Sequence, residues 1–192
     1  AEAEEDASWN ISRMARRMRA RILYRDAPAA ELLELTGGDD PEVASEARRL
    51  LATQRDAGSV AATREAWSGA SSRERTEMLR ELVADPSADL TDLFKEALQS
   101  PAPEDIQLGA RAIGQLGDHA NLGILVAALE RGILSTECAL VDGLRRLGAP
   151  GALDEVSRVL TAWEERDQDV EEDDWHFSSD TAPLRHLLYT AG

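Results

Sequence analysis

The chain has 192 residues and a formal net charge of −16, because 37 acidic residues outnumber 21 Lys and Arg residues. This balance argues against a nucleic-acid partner, since affinity for nucleic acid comes largely from Lys and Arg that displace counterions from phosphates. No apolar run approaches the ~20 residues that cross a bilayer, and a single cysteine excludes an intrachain disulfide. We therefore predict neither nucleic-acid binding nor a membrane span.

The apolar composition favours helices. The sequence contains 31 Ala and 25 Leu but only 6 Ile and 8 Val. Ala and Leu lose little on entering a helix, whereas β-branched residues fit strands better. Only eight residues are aromatic, so we expect an aliphatic core between closely packed helices.

The first predicted element is a degenerate N-terminal cap hairpin over 1–40. Apolar positions of its two helices are Met14, Met18 and Ile22, followed by Leu32, Leu33 and Leu35. The break between the helices falls at 26–28, which reads Asp-Ala-Pro. We expect the first stripe to face the core, with Trp9 packed on it as an end-cap residue.

Four repeats with a period of 31 residues follow over 41–165. The equivalent positions are Leu51, Leu82, Ile113 and Leu144; Trp67, Leu98, Leu129 and Leu160; Val60, Thr91, Leu122 and Leu153; and Ala66, Ala97, Ala128 and Val159. Each repeat reads as two helices, with first helices near 41–54, 72–84, 103–116 and 134–147 and second helices near 58–68, 89–99, 120–131 and 151–165. Each set of equivalent positions is a register, and four registers with one period indicate a repeat. Because Trp67 shares its register with three leucines, we predict that it belongs to the core.

Capping signals agree with these segments. Asp40 precedes a proline at the first helical position, and Ser71 with Glu74 forms a capping box. After the repeats we predict an acidic loop over 166–180 and a C-terminal cap helix over 181–192. End caps are expected because internal repeats expose apolar faces on both sides.

The sequence resembles the HEAT-like repeat family of bacteria. The residues that carry the resemblance are 110–118, Ala-Arg-Ala-Ile-Gly-Gln-Leu-Gly-Asp, and their echo at 143–153, Gly-Leu-Arg-Arg-Leu-Gly-Ala-Pro-Gly-Ala-Leu. The turn aspartate of the family pattern is present at Asp118 and Asp56 but is replaced by Ala149. The resemblance covers 41–165 and implies a right-handed α-solenoid of about five helical hairpins that binds partners along its exposed inner layer.

One register of the first helices is charged. Arg49, Arg80 and Arg111 occupy equivalent positions in three successive repeats, and Asp142 occupies the fourth. Stacked helices lie roughly 10 Å apart, so the arginines are predicted to form a strip that grips an acidic partner segment. In the alternative interpretation they are ordinary surface charges, paired with acids three residues earlier such as Glu46 and Glu77.

The acidic stretch near the C-terminus offers a second candidate surface. Segment 163–180 carries three large aromatic residues among its carboxylates: Trp163, Trp175 and Phe177. These side chains are candidates for apolar anchors that dock a basic partner. Alternatively, the segment is a solvated loop whose aromatic residues fold back onto the last hairpin.

No motif for catalysis, metal binding or cofactor binding is present in the sequence. Cys138 lies within an apolar helix and is expected to be a small core residue. We therefore predict no cofactor, no metal and no catalytic residue, and a monomeric, cytoplasmic, non-catalytic scaffold that binds a protein partner. The sequence leaves open whether a signal peptide was removed from the chain. The alternatives are an inhibitor or immunity-type protein with an acidic surface, and an enzyme similar to HEAT-like chromophore lyases.

Overall fold

The computed structural model describes residues 2–54 and 56–168, with the side chains of residues 9–163 apart from 55 and 134. Within these residues the chain forms ten α-helices and no β-strand, which confirms the all-α class. The helices are α1 (Glu2–Leu23), α2 (Ala29–Thr36), α3 (Pro41–Thr53), α4 (Ala57–Gly69), α5 (Ser72–Leu82), α6 (Thr91–Leu98), α7 (Pro103–Leu116), α8 (Leu122–Glu130), α9 (Glu137–Leu147) and α10 (Ala152–Gln168). Short 3-10 turns precede α6, α8 and α9. Every helix predicted within 41–165 is present, with its ends within one turn of the predicted ones.

The chain divides into two compact units, one up to Leu90 and one from Thr91 onward. In the first unit α3 packs between α1 and α5, while α2 and α4 pack against each other and against α3. In the second unit α7 packs along α9, and α6, α8 and α10 pack on these two helices. Each unit thus has one layer of first helices and one layer of second helices. A single solenoid over the whole chain with a 31-residue period stays a prediction.

Local signals in the sequence explain where the helices of the first unit begin. Asp40 accepts hydrogen bonds from the backbone nitrogens of Glu42 and Val43 at 2.9 and 3.3 Å, and Pro41 occupies the first helical position of α3. Ser71 caps α5, and the side chain of Glu74 accepts a reciprocal hydrogen bond from the Ser71 backbone nitrogen at 2.8 Å. These caps satisfy backbone groups that a helix start leaves without partners, and they set which residues of α3 and α5 face their neighbours.

The core follows most of the predicted registers. Leu51, Leu82, Ile113 and Leu144 are each at most 1% exposed, and the small residues Ala66, Ala97, Ala128 and Val159 are also buried. Trp67 is buried at 4% exposure, which confirms it as a core residue. The third register differs, because Leu153 is 65% exposed and Thr91 and Leu122 are only half-buried. The repeat pattern therefore marks core positions in both units, with exceptions in the third register and at the half-buried Leu160.

Glycines bring α7 and α9 into close contact. A Cβ atom on Gly143 would lie 2.7 Å from the carbonyl oxygen of Ala110, and one on Gly114 would lie 2.7 Å from the carbonyl oxygen of Gly143. Side chains at these positions would overlap the neighbouring backbone, since real Cβ atoms do not approach oxygen so closely. The two helices can therefore touch only because both positions are glycine.

The predicted orientation of α1 is wrong. Met14, Met18 and Ile22 are 56–75% exposed and do not face the core. Trp9 is 57% exposed as well, and the Arg13 guanidinium lies 4.5 Å from its ring centroid. The face of α1 that packs on α3 instead carries arginines that meet two buried glutamates, and this requirement decides how the helix is rotated.

Cys138 also departs from its prediction. It is exposed rather than part of the core. The buried stripe of α9 consists of Leu140, Gly143, Leu144 and Leu147, and Cys138 lies on the opposite side of the helix from that stripe. Position within an apolar stretch of sequence was therefore not sufficient to place this side chain inside.

Candidate functional site

A groove lined by charged residues is present in the first unit, where α1, α3 and α5 lie side by side. Its volume is about 270 Å³. The lining residues are Arg17, Arg21, Ser45, Glu46, Arg48, Arg49, Glu74, Glu77, Met78, Arg80 and Glu81. Five arginines and four glutamates thus converge on one surface, so the groove carries both signs of charge at close range. Such a lining suits a ligand with charged groups far better than an apolar ligand.

One wall of the groove is built by ion pairs between α1 and α3. Glu42 and Glu46 are buried on α3, at 4% and 3% exposure. Arg13 and Arg17 of α1 both donate to Glu42, and Arg21 donates its Nε to Glu46 Oε1 at 2.8 Å. A buried carboxylate requires such partners, because an unpaired charge away from water is strongly unfavourable.

These partners control the ionisation of the buried carboxyls. Burial raises the pKa of Glu42, but hydrogen bonds and charge from Arg13 and Arg17 outweigh this effect and leave the pKa below its ordinary value. Burial likewise raises the pKa of Glu46, and Arg49 and Arg21 together overcome it and lower the pKa. Both groups are therefore carboxylates at neutral pH and act as fixed charges rather than as proton carriers.

Arg49 links α3 to α5. Its Nε and Nη2 donate to Glu46 Oε1 at 2.8 and 2.7 Å, and its Nη1 lies 3.6 Å from Glu81 Oε2 of α5. The hydrogen bond to Glu46 is the main reason that the pKa of Arg49 is raised, although burial opposes it. Arg49 is thus held in a defined position, and its pairing with Glu46 matches the alternative interpretation of the arginine register.

The structure places the other predicted arginines as follows. Arg80 lies on α5 and lines the same groove as Arg49, with an exposed side chain. Arg111 lies on α7 in the second unit and is also exposed. Asp142 of α9 pairs with Arg145 and Arg146 at 2.7 and 2.6 Å. Arg49 and Arg80 therefore share one site in the first unit.

The aromatic candidates are divided between described and undescribed residues. Trp163 lies on α10, half-buried, with its indole nitrogen near the position a Cβ of Gly132 would take, at 3.9 Å. Trp175 and Phe177 lie outside the described residues, as does the C-terminal cap helix predicted over 181–192. Of the acidic loop predicted over 166–180, residues 166–168 belong to α10 and the rest lies outside the described residues. Trp163 is in the second unit and does not line the groove.

Sequence reasoning missed several groove residues. Arg48 bridges three elements: its Nη1 lies 2.5 Å from Glu74 Oε1, its Nη2 donates to the Thr36 carbonyl at 2.9 Å, and its Nε is buried without a hydrogen-bond partner. Arg17 and Arg21 of α1 were also missed. A signal existed in the sequence, because arginines at 13, 17 and 21 recur every four residues and match the four-residue spacing of Glu42 and Glu46.

The second wall of the groove joins α3 to α5 through smaller contacts. Ser45 Oγ of α3 donates to Glu77 Oε2 of α5 at 3.0 Å, and within α5 Arg73 Nε lies 3.5 Å from Glu77 Oε1. The pKa of Glu74 is lowered, because hydrogen bonds from Ser71 and the charge of Arg48 together exceed the effect of its burial. The groove therefore presents a fixed array of guanidinium and carboxylate groups that suits recognition of charged side chains.

The described part of the chain offers neither a metal centre nor a membrane span. Among residues 9–163 whose side chains are described, no group of three His, Cys, Asp or Glu is arranged to hold a metal ion. None of the helices α1 to α10, as far as they are described, combines the length and apolar character that crossing a bilayer demands.

Comparison of the chain with protein-family models, with curated proteins and with solved structures finds no match.

Proposed function

We propose that this chain is a non-catalytic protein-binding module, built as a HEAT-like helical solenoid, whose groove in the first unit receives a charged segment of a partner protein. Support for the solenoid comes from the two-layer arrangement of helices within each unit and from the buried 31-residue registers. Layered helical repeats offer extended rigid surfaces that suit partner binding.

The observation that carries the proposal is the fixed array of charges in the groove. Arg49 is held by Glu46 and Glu81, and Arg48 is held by Glu74 and the Thr36 carbonyl. Side chains that are already ordered lose little entropy when a partner binds. The groove is also polar and open to solvent, which suits side chains of a protein segment rather than a small apolar ligand.

The chemistry of the lining defines the partner segment. Arg80 and Arg49 offer guanidinium donors to carboxylates of the partner, and such charge-assisted pairs are often bidentate. Glu77 and Glu81, both partly exposed, offer acceptors to basic side chains beside them. We therefore expect a segment with acidic and basic residues in alternation, bound most tightly at low ionic strength.

Charge reversal within the groove tests the proposal. The purified chain, its Arg80→Glu variant and a matched Arg145→Glu control are immobilised and exposed to lysate of the organism that encodes the chain. Arg145 is 61% exposed on α9 in the second unit, outside the groove. We expect the same bound protein with the original chain and with Arg145→Glu, and its loss with Arg80→Glu.

Circular dichroism provides the control for folding, since both variants should retain the helical spectrum of the original chain. Retention of the bound protein by a folded Arg80→Glu variant would contradict the assignment of the groove. Absence of any specifically bound protein would contradict the protein-binding function itself.

A further inference from the structure

The outer face of α1 carries an apolar stripe that its own unit leaves uncovered. Among the described side chains, six of the seven large apolar groups that are exposed lie on α1. Four of them, Ile11, Met14, Met18 and Ile22, follow the i, i+3, i+7, i+11 spacing of one helix face. We call these four residues the outer stripe. Scattered exposed apolar residues are ordinary, but a contiguous row on one helix marks an interaction surface.

The opposite face of α1 is already occupied. Ala20 is 2% exposed, and Arg13, Arg17 and Arg21 pair with glutamates of α3. Those ion pairs fix the rotation of the helix, so the outer stripe cannot turn inward without breaking them. No residue of the stripe lines the charged groove, and the two surfaces meet at Arg17 and Arg21.

Arginines flank the stripe. Arg19 is exposed on one side of it and has no hydrogen bond or ion pair with any described residue. On the other side Arg17 and Arg21 remain partly exposed, at 38% and 51%, despite their pairing with α3. The face is thus apolar along its centre and basic along both edges, within a chain whose net charge is −16.

We propose that the outer stripe docks an amphipathic helix of a partner protein, with an apolar row flanked by carboxylates. The apolar row would pack on Met14 and Met18 at the centre of the stripe, in the manner of other helix-in-groove interactions. Methionine suits this role because its flexible, polarisable side chain adapts to its partner. The flanking carboxylates would pair with Arg19 on one edge and with Arg21, which is 51% exposed, on the other.

Charge disfavours the two other occupants. In a two-fold pair of α1 helices, whether parallel or antiparallel, the basic edges of one copy meet basic edges of the other, and like charges at an interface are unfavourable. An anionic lipid surface is extended, so it faces acidic parts of the chain as well as the basic edges, and the chain carries an excess of 16 negative charges. A single acidic helix, about 10 Å wide, lies within a Debye length of the basic edges while most of the acidic surface is screened from it.

The three methionines of the chain supply the reporters for a test. Met14 and Met18 lie on the outer stripe, whereas Met78 is 1% exposed and lines the charged groove. The full chain is labelled with ¹³C at the methionine methyl groups and titrated with a peptide of about 20 residues, long enough to form a helix. The peptide carries Leu at i, i+3, i+7 and i+11 with Glu on both flanks, and a twin peptide has Lys in place of Glu.

We expect the acidic peptide to shift the Met14 and Met18 signals to saturation and to leave the Met78 signal unchanged. Its affinity should exceed that of the twin by about tenfold, the range that a few exposed ion pairs provide. The variant Arg19→Glu, which reverses the charge of one edge, should reduce this preference. Leu153→Glu, which changes an exposed apolar residue of the second unit, should have no effect.

Four results would overturn the proposal: equal affinity for the two peptides, no shift at Met14 and Met18, a shift at Met78 instead, or loss of the acidic preference in the Leu153→Glu control. Two more would assign the stripe to another occupant. Shifts of Met14 and Met18 on simple dilution would indicate a second copy, and shifts only with phosphatidylglycerol vesicles would indicate a lipid surface.

Discussion

Within each unit the neighbouring first helices are held together by a different kind of contact. Between α1 and α3 the contacts are long arginine side chains that reach buried glutamates. Between α7 and α9 they are glycines that let the backbones touch, with Gly143 facing the Ala110 carbonyl. Long charged side chains hold neighbouring helices apart and leave space between them, whereas glycines close that space. The comparison explains why the charged groove occurs in the first unit, where the helices are joined by ion pairs.

The largest effect is expected from filling the close contact in the second unit. In Gly143→Ala the new methyl group would lie 2.7 Å from a backbone oxygen, so the helices must separate. We expect the free energy of unfolding to fall by about 2 kcal/mol, as for other overpacked interiors. Urea unfolding followed by circular dichroism measures the change.

Gly123→Ala is the matched control. Gly123 lies on α8, and no atom lies within 4 Å of the position that a Cβ would take there. Alanine should therefore raise the free energy of unfolding by about 0.5–1 kcal/mol through lower backbone entropy of the unfolded chain. A Gly143→Ala variant that is as stable as the original chain would show that the α7–α9 contact is not limited by the Ala110 carbonyl.

Removal of a buried carboxylate in the first unit should have a somewhat smaller effect. Glu46→Ala leaves Arg21 and Arg49 without their shared partner, but both side chains are partly exposed, at 51% and 24%, and water can solvate them. We expect the free energy of unfolding to fall by about 2 kcal/mol or slightly less. The same urea measurement applies.

An exposed ion pair supplies the comparison for Glu46. Arg145→Ala removes a pair with Asp142 whose two side chains are 61% and 41% exposed, and it should change the free energy of unfolding by less than about 0.5 kcal/mol. If the two substitutions have equal cost, burial of Glu46 does not contribute to the strength of the α1–α3 contact.

Two buried glutamates should contribute to the free energy of unfolding with opposite pH dependence, and these effects are smaller. The pKa of Glu46 in the folded chain is below its ordinary value of 4.5, so its contribution to stability is complete above that value and is lost as pH falls through the lowered pKa. Burial raises the pKa of Glu137 on α9. Its charged form is therefore unfavourable at neutral pH, and this cost disappears in acid.

Glutamine variants test these opposite signs. Glu46→Gln should destabilise the chain at pH 7, and the difference from the original should shrink at about pH 3.5, below the ordinary pKa of glutamate. Glu137→Gln should stabilise the chain at pH 7 and have little effect at about pH 3.5. Urea unfolding at both pH values measures these changes in the free energy of unfolding. A change that is the same at both pH values would contradict the pKa shift of the glutamate concerned.

The helices of the repeat region were predictable because their signals are local. Each signal depends on residues that are close together in the sequence: the proline at position 41, the capping box at Ser71 and the apolar spacing of α7. The 31-residue registers added a second kind of evidence, since equivalent positions of successive units are buried together. Helix positions and most core residues therefore followed from the sequence.

The orientation of α1 was not predictable by the same reasoning. An apolar stripe of Met14, Met18 and Ile22 indicates a buried face when hydrophobic burial alone decides. In the structure the buried glutamates of α3 need cations, and the arginine face of α1 supplies them. The composition of the groove was likewise hidden, because Arg17, Arg48 and Arg80 are distant in sequence and meet only after the helices pack.

The most direct test of the groove as the binding site is hydrogen–deuterium exchange of the chain in complex with the protein that it captures. We expect slower exchange of the backbone amides of α3 and α5, the helices that form two walls of the charged groove. The same helices should exchange at their free rate in Arg80→Glu. Protection confined to α7, α8 and α9, with α3 and α5 unchanged, would contradict the claim that the groove of the first unit is the binding site.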